Sequence, residues 1–433
     1  MTIDGLRAFH RRVAEELAAR YRPRESTPEG WRETLAWHWE QAEAYAPAAD
    51  VALEVAELMV TRLDFVGARR WAERALMLIE RLPVADQSTH DLRASTLALA
   101  VLEFGGQYAE GLEYARRMRR AAQRHANPAA ETRAEMAIGR MQRELGQLAA
   151  AETSLRRAQD LADRYDLADV ESEIRLHLAK THQLQGRHLE ALQQLQLARE
   201  EHEQRDDKVQ LARVLTSIGD LYRVLGSGRE AFTFYTRALS LDQGRGYLVG
   251  QAMLKDKLAL SLLDQNRPAD ALVSAEEGLR LRERLNDLVG QARSFTVLGM
   301  IARRLGKHQQ SLSNFERARD LQELVQNPRG HTIALMNLGD ASRSLHRLPQ
   351  AEEFYDRALS IAHRETDTIG IARALERLGD LHDEQGRKGD AAARWADALR
   401  LRDDLHHADE ANALRERINA LHGRDPDVGV HDA

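Results

Sequence analysis

One phrase of residues recurs along this chain at a spacing of forty, and that period constrains the fold more than any other feature. The phrase opens on an aliphatic residue and Gly, then places Gly seven residues on, Ala five further, an aromatic four further, and Ala-Leu at the close. Its clearest copies are Ile218-Gly219, Gly226, Ala231, Tyr235, Ala238-Leu239 and Leu378-Gly379, Gly386, Ala391, Trp395, Ala398-Leu399. In register the opening position reads Leu99, Gly139, Ala179, Gly219, Ala259, Gly299, Gly339 and Gly379, which makes eight units without a gap. The second position reads Gly106, Gly146, Gly186, Gly226, Asn266, Gly306, His346 and Gly386; the third reads Gly111, Ala151, Ala191, Ala231, Ala271, Ser311, Ala351 and Ala391. Columns held at one strict spacing mark a repeat architecture, in which each unit covers the apolar face of its neighbour.

Each column has a physical reason. Leu215, Ile218 and Tyr222 follow one another at three and four residues, the period of a helix with one buried face. Gly or Asn at the second column suits a left-handed residue at a helix end. Small residues at the first and third columns let two antiparallel helices approach, and the column Leu155, Leu195, Tyr235, Phe315, Tyr355 and Trp395 fills the space between units. Prolines agree with this reading: Pro128 and Pro328 stand just before a first helix, and Pro268 and Pro349 where a second helix begins. Pro23, Pro28, Pro47, Pro83 and Pro426 are expected between helices or in the tail. The column Gly250, Gly290, Gly330 and Gly370, preceded by Asn286-Asp287, Asn327 and Asp367, predicts a repeated turn between units.

These columns resemble the tetratricopeptide repeat over roughly residues 88 to 421, with a unit of forty residues in place of the family's usual thirty-four. The resemblance implies an all-α fold, a right-handed superhelical solenoid of antiparallel helix pairs whose first helices line a concave face. The expected organisation is an N-terminal helical cap over 1–45, an atypical helix pair over 46–87, eight repeats over 88–408, a capping helix over 409–422 and a disordered tail over 423–433. The segment His10 to Leu17, followed by Leu35-Ala36-Trp37-His38-Trp39, is similar to the start of the helical sensor arm of bacterial STAND-type signalling ATPases. No Gly-x-x-x-x-Gly-Lys-Ser/Thr phosphate loop is present, so the ATPase activity of those proteins is not expected.

Composition removes several function classes. With no Cys among 433 residues there is no disulfide, thiolate zinc site or cysteine nucleophile. The apolar runs are too short for a membrane span and the N-terminus lacks a signal-peptide pattern, so a cytoplasmic protein is expected. The 62 Lys and Arg are outnumbered by 68 Asp and Glu, which argues against nucleic acid as a partner. The basic run Arg116, Arg117, Arg119, Arg120 and Arg124 shares its helix with Glu110 and Glu113 and reads as a solvated face. His177 with His182 and His406 with His407 are poorly spaced for a metal, and no cofactor is expected. Neither a Gly-x-Ser-x-Gly elbow nor a His-Glu-x-x-His pair occurs, so the chain is read as non-catalytic.

Stripes on the face opposite the packing columns are the candidate binding surface. Arg140, Arg143, Arg213, Asp220, Arg223, Arg293, Met300, Arg303, Asn337, Asp340 and Arg343 are the residues expected to line it. Arg can fork onto carboxylates, and Met253, Leu260, Leu263, Val297 and Met300 offer an apolar strip, so a protein or peptide partner carrying acidic groups is expected. The competing reading pairs Asp220 with Arg223 and Asp340 with Arg343 along one helix. A groove that changes pitch on binding a small peptide or metabolite is the alternative function. Trp31, Leu35 and Trp39 share a helical face and are expected in the core, leaving Trp37 exposed.

Overall fold

The computed structural model describes residues 2–20, 30–62, 64–83, 87–104, 106–405 and 407–422. The expected tail over 423–433, His406, and Pro23, Pro28 and Pro426 lie outside them. Among the described residues there are helices and turns and no strand. The helices are α1 (Ile3–Arg20), α2 (Trp31–Gln41), α3 (Tyr45–Thr61), α4 (Phe65–Ile79), α5 (Gln87–Phe104), α6 (Tyr108–Arg124) and α7 (Pro128–Glu144). They continue as α8 (Leu148–Arg164), α9 (Ala168–Leu184), α10 (His188–Gln204), α11 (Lys208–Val224), α12 (Gly228–Gly244), α13 (Leu248–Asp264) and α14 (Pro268–Arg284). The last are α15 (Leu288–Arg304), α16 (His308–Leu324), α17 (Pro328–Ser344), α18 (Leu348–Arg364), α19 (Thr368–Glu384), α20 (Lys388–Asp404) and α21 (Ala408–His422).

Two kinds of turn alternate, and both are left-handed. Within a unit the second column turns the chain at Gly106, Gly146, Gly186, Gly226, Asn266, Gly306, His346 and Gly386, all with φ between 56° and 78°. At Gly226 the preceding helix closes with Gly226 N–H donating to Arg223 O and Ser227 N–H to Tyr222 O, a pattern that satisfies two terminal carbonyls. Between units the left-handed residue is Ala126, Asp166, Asp206, Gly246, Asn286, Gln326 or Thr366. The column Gly250, Gly290, Gly330 and Gly370 is therefore not the turn itself; it lies in the first turn of the following helix. There the amides of Gly290, Gly330 and Gly370 donate to the capping side chains of Asp287, Asn327 and Asp367 at 2.8–3.0 Å. Pro128 and Pro328 are the first residues of α7 and α17, and Pro47 lies in the first turn of α3 rather than between helices.

The molecule divides into two compact units. The first comprises Met1–Ile138 and Asp160–Leu167, the second Gly139–Gln159 and Ala168–Ala433. In the first, Ala14, Leu35, Ala49, Leu53, Trp71 and Leu76 share one core, with Trp31 and Trp39 packed against it. Trp37 points away, 44% exposed, its ring edge-on to His10. The basic stretch of α6 is better partnered than a solvated face would be: Arg117 binds Asp91 and Glu80, and Arg119 reaches Glu135 at 3.1 Å.

In the second unit the first-column glycine is a seat for the aromatic column. A Cβ on Gly219 would lie 2.5 Å from Tyr235 Cε1, and one on Gly299 equally close to Phe315 Cε1. Each aromatic thus packs on its own unit's first helix, and Tyr235 also meets Leu254 and Leu258 of the next. This unit returns on itself: Arg329 of α17 donates to Glu144 of α7 at 2.6 Å across 185 residues, and the Gly146 turn abuts Leu405 and Ile369.

Candidate functional site

The inner face is ordered by a three-residue motif that repeats with the units. Asp220 accepts from the Tyr235 hydroxyl at 2.7 Å and from Lys257 Nζ at 2.6 Å. Asp340 accepts from the Tyr355 hydroxyl at 2.7 Å and from Arg377 Nε at 2.9 Å. Asp380 accepts from Trp395 Nε1 at 3.1 Å and from Arg417 at 2.6 Å. A first-helix carboxylate is thereby tied to the aromatic of its own second helix and to a cation of the next first helix. Burial pushes the Tyr235 and Tyr355 phenols up, and the adjacent carboxylates push them further. Burial would raise Asp220, but Lys257 outweighs it and holds that carboxyl below its ordinary range. Sequence reasoning selected the Asp column and the aromatic column separately and missed that they bond.

The expected pairing along one helix is not what forms. Arg303 faces Asp340 at 3.4 Å, Arg343 binds Glu384 at 2.5 Å, and Arg223 faces Asp264 at 3.7 Å. Each of these pairs crosses to the next unit. Arg213 approaches Glu173 at 3.6 Å and donates to Gln210. Arg140 is half-buried, with Glu173 and His177 in its field. Arg143 is 8% exposed; it binds Glu144 at 2.9 Å and lies 3.4 Å from His177 Nδ1. Arg293 is exposed and acts on the Asp256 carboxyl, while Asn337 is half-buried on α17. The apolar strip is narrower than expected, because Val297 is 6% exposed and belongs to the core, and Leu260 and Leu263 pack against the same cluster.

Met300, Arg303, Asp340 and Arg343 are the candidates that the fold gathers. Leu263, Asp264, Met300, Arg303 and Arg304 line a hollow of about 390 Å³. Arg303, Asp340, Arg343, Arg377, Asp380 and Glu384 line a second of the same volume. Arg303 lines both, so the two hollows adjoin at α15, the first reaching α13 and the second α17 and α19. Three cations and three carboxylates balance in the second hollow.

A separate cavity of about 500 Å³ opens in the lumen where α7 and α9 face α17 and α19–α21, with Arg143, Lys180, Arg329 and Arg373 on its wall. Elsewhere, His182 and His382 each meet a glutamate, Glu152 at 3.3 Å and Glu352 at 3.2 Å, joined by Arg187 and Arg387. Among the described residues no three His, Asp or Glu side chains form a metal-holding group, and no helix is long and apolar enough to cross a membrane.

Profiles of the tetratricopeptide repeat match residues 170–244, 252–287 and 331–404. A search of curated proteins returns no match. Among solved structures the chain is similar to the Rap conjugation gene regulator of plasmid pLS20 in complex with the Phr peptide, at 12% identity and a TM-score of 0.52, over 75% of this chain and 96% of that one. It is also similar to a Rap protein complexed with competence and sporulation factor, at 13% identity and a TM-score of 0.49, over 87% and 98% of the two chains. A STAND protein with a tetratricopeptide-repeat sensor from Pyrococcus horikoshii matches at 16% identity and a TM-score of 0.48, over 92% of this chain and 55% of that one. Over those matched residues the antiparallel helix pairs and their left-handed turns are tetratricopeptide repeats, here in a forty-residue register.

Proposed function

We propose that this protein is a non-catalytic binding module that takes a peptide or protein segment along the groove between Leu263 and Glu384. The observation that carries the reading is that Arg303 lines both of two adjoining 390 Å³ hollows. A single small ligand fills one hollow, whereas an extended or helical segment spans both and presents side chains to each in turn. Met300 and Leu263 offer an apolar seat, and beyond it Arg343 and Glu384 can exchange their mutual contact for groups of either sign on a partner. The preferred segment therefore carries an apolar residue followed by mixed charges, rather than an acidic run. The pLS20 regulator, which shares the fold, holds a peptide in its own structure.

A peptide array probed with the full chain tests this. Arg303→Glu and Arg343→Glu are each expected to weaken the best binder about tenfold, the effect of losing one charge-assisted contact. Unchanged affinity in both would place the site on another surface. A second reading, a regulator whose pitch responds to its ligand, is favoured by the contact of Arg329 with Glu144, which closes the second unit on itself. Solution scattering with and without the bound peptide checks it; an unaltered radius of gyration counts against gating.

A further inference from the structure

The lumenal cavity has a different chemistry from the groove. Five cations line it: Arg143, Lys180, Arg329, Arg373 and Arg402. Its own wall supplies only Glu144 and Glu410 as carboxylates, and Glu376 reaches Arg402 from outside at 2.7 Å. Five cations against these three acids leave an excess of two positive charges on the wall, with Asp220 acting on Lys180 and Asp367 on Arg373 from outside it. Glu144 is already engaged: burial would raise its carboxyl, but Arg143 and Arg329 outweigh that and hold it below the usual range. The excess can be assigned. Lys180 donates to the neutral amide of Gln183 at 3.2 Å, and Arg373 has no hydrogen bond or ion pair among the described residues. Burial depresses the pKa of Lys180, and Arg373, exposed as a side chain but partly desolvated by the cavity wall, is depressed further by Arg402 and Arg329.

A second, independent feature lies in the same wall. His407 is 7% exposed, and its Nδ1 lies 2.9 Å from Arg402 Nη1. A guanidinium only donates, so Nδ1 accepts and the imidazole proton sits on Nε2. Burial and then Arg402 keep this ring neutral at ordinary pH. Its buried Nε2–H has no partner in the protein, an arrangement that costs free energy unless something accepts from it.

We propose that this cavity binds a phosphate dianion, as inorganic phosphate or as the monoester of a small molecule, with Lys180 and Arg373 as its charge partners and His407 as a neutral donor. A dianion matches the excess of two charges, where a single carboxylate would leave one cation unanswered. A volume of about 500 Å³ admits a phosphate together with a small organic group. Because Lys180 stands on α9 and Arg373 on α19, the ligand joins the two ends of the second unit's closed turn.

Isothermal titration of the full chain tests the site, with inorganic phosphate, glycerol 3-phosphate, acetate and chloride at matched ionic strength. Both phosphate species are expected to bind saturably, and acetate and chloride are not. Tighter binding of the free ion identifies phosphate itself as the ligand, and tighter binding of the ester identifies a monoester. Arg373→Gln and Lys180→Gln should each weaken phosphate about tenfold, as expected for one ionic hydrogen bond, whereas the exposed Arg364→Gln should not. Arg373→Gln removes an unpaired cation from among its own kind, so the variant is expected to fold, and circular dichroism verifies this. Acetate binding as well as phosphate does, or native affinity in both folded variants, would overturn the proposal. Neither result depends on whether a peptide occupies the groove.

Discussion

The groove across α13–α19 and the lumen at α7–α21 are lined by the same kinds of side chain, yet only the groove neutralises itself. There Arg303 and Arg377 meet Asp340 and Arg343 meets Glu384, each partner 37 or 41 residues away, one unit on. Such partners occupy columns of the repeat, so the register that builds the solenoid also aligns the charges. In the lumen the facing residues belong to units far apart, as in the 185-residue separation of Glu144 and Arg329. No column relates them, and Lys180 and Arg373 are left with charge to spare. Complementarity along a solenoid comes with its periodicity; complementarity across its turn does not.

Four experiments press on that contrast, from the largest expected effect downward. The lumenal side should be acid-sensitive through His177, which burial depresses to about 4, with Arg143 nearby adding to the shift and Glu173 opposing it. A depressed histidine stabilises fully above its unfolded pKa of 6.5, and that contribution is lost as pH falls toward 4, about 3 kcal/mol in all. Chemical denaturation across that window, with the His177 ring followed by NMR, checks it; a ring titrating near 6.5 refutes the assignment. Glu144→Gln removes the one acid that two lumenal arginines share and should cost about 2 kcal/mol, less than a fully buried pair because Glu144 retains some exposure. Hydrogen exchange in α17 should rise in that variant, and native protection there would mean that the closed turn does not rest on this contact.

In the groove, Asp340→Asn keeps a hydrogen bond to Tyr355 and loses the charge that answers Arg377, for about 1.5 kcal/mol. An acidic peptide should bind this variant more tightly than the native chain, and equal binding would show that groove charge does not select the ligand. The smallest effect on stability belongs to Arg343→Gln, whose pair with Glu384 is about one-third exposed at each end and contributes about 0.5 kcal/mol. If peptide binding falls with so small a change in melting temperature, Arg343 serves recognition; a fall in both would give it a structural role.

Much of the fold was readable residue by residue. The small-residue columns, the left-handed second column and the tolerance of proline at helix starts each follow from local sterics, which a sequence records directly. Even His346 and Asn266 keep the left-handed turn, because six glycines set the register around them. The glycines at 250, 290, 330 and 370 were misplaced as turn residues since a capped first turn and a connection carry similar residues. The site was less legible. The structure gathers Met300, Arg303, Asp340 and Arg343 beside two hollows, whereas Val297 fell into the core and Arg143 into the lumen. A stripe drawn on a sequence assumes that every unit presents the same arc to the same surroundings, and curvature breaks that assumption.

The sequence by itself determined the helix pair, its length, its two turns and the number of times it repeats, because these depend on backbone sterics and on burial between neighbours forty residues apart. It also set Arg and Asp residues at recurring positions of the first helices. Tertiary structure alone decided which charges are answered, since the superhelical turn brings α7 and α9 against α19–α21 without any periodic relation between them. Lys180 and Arg373 stand in separate units of the repeat, and only the fold set them in the wall of one cavity.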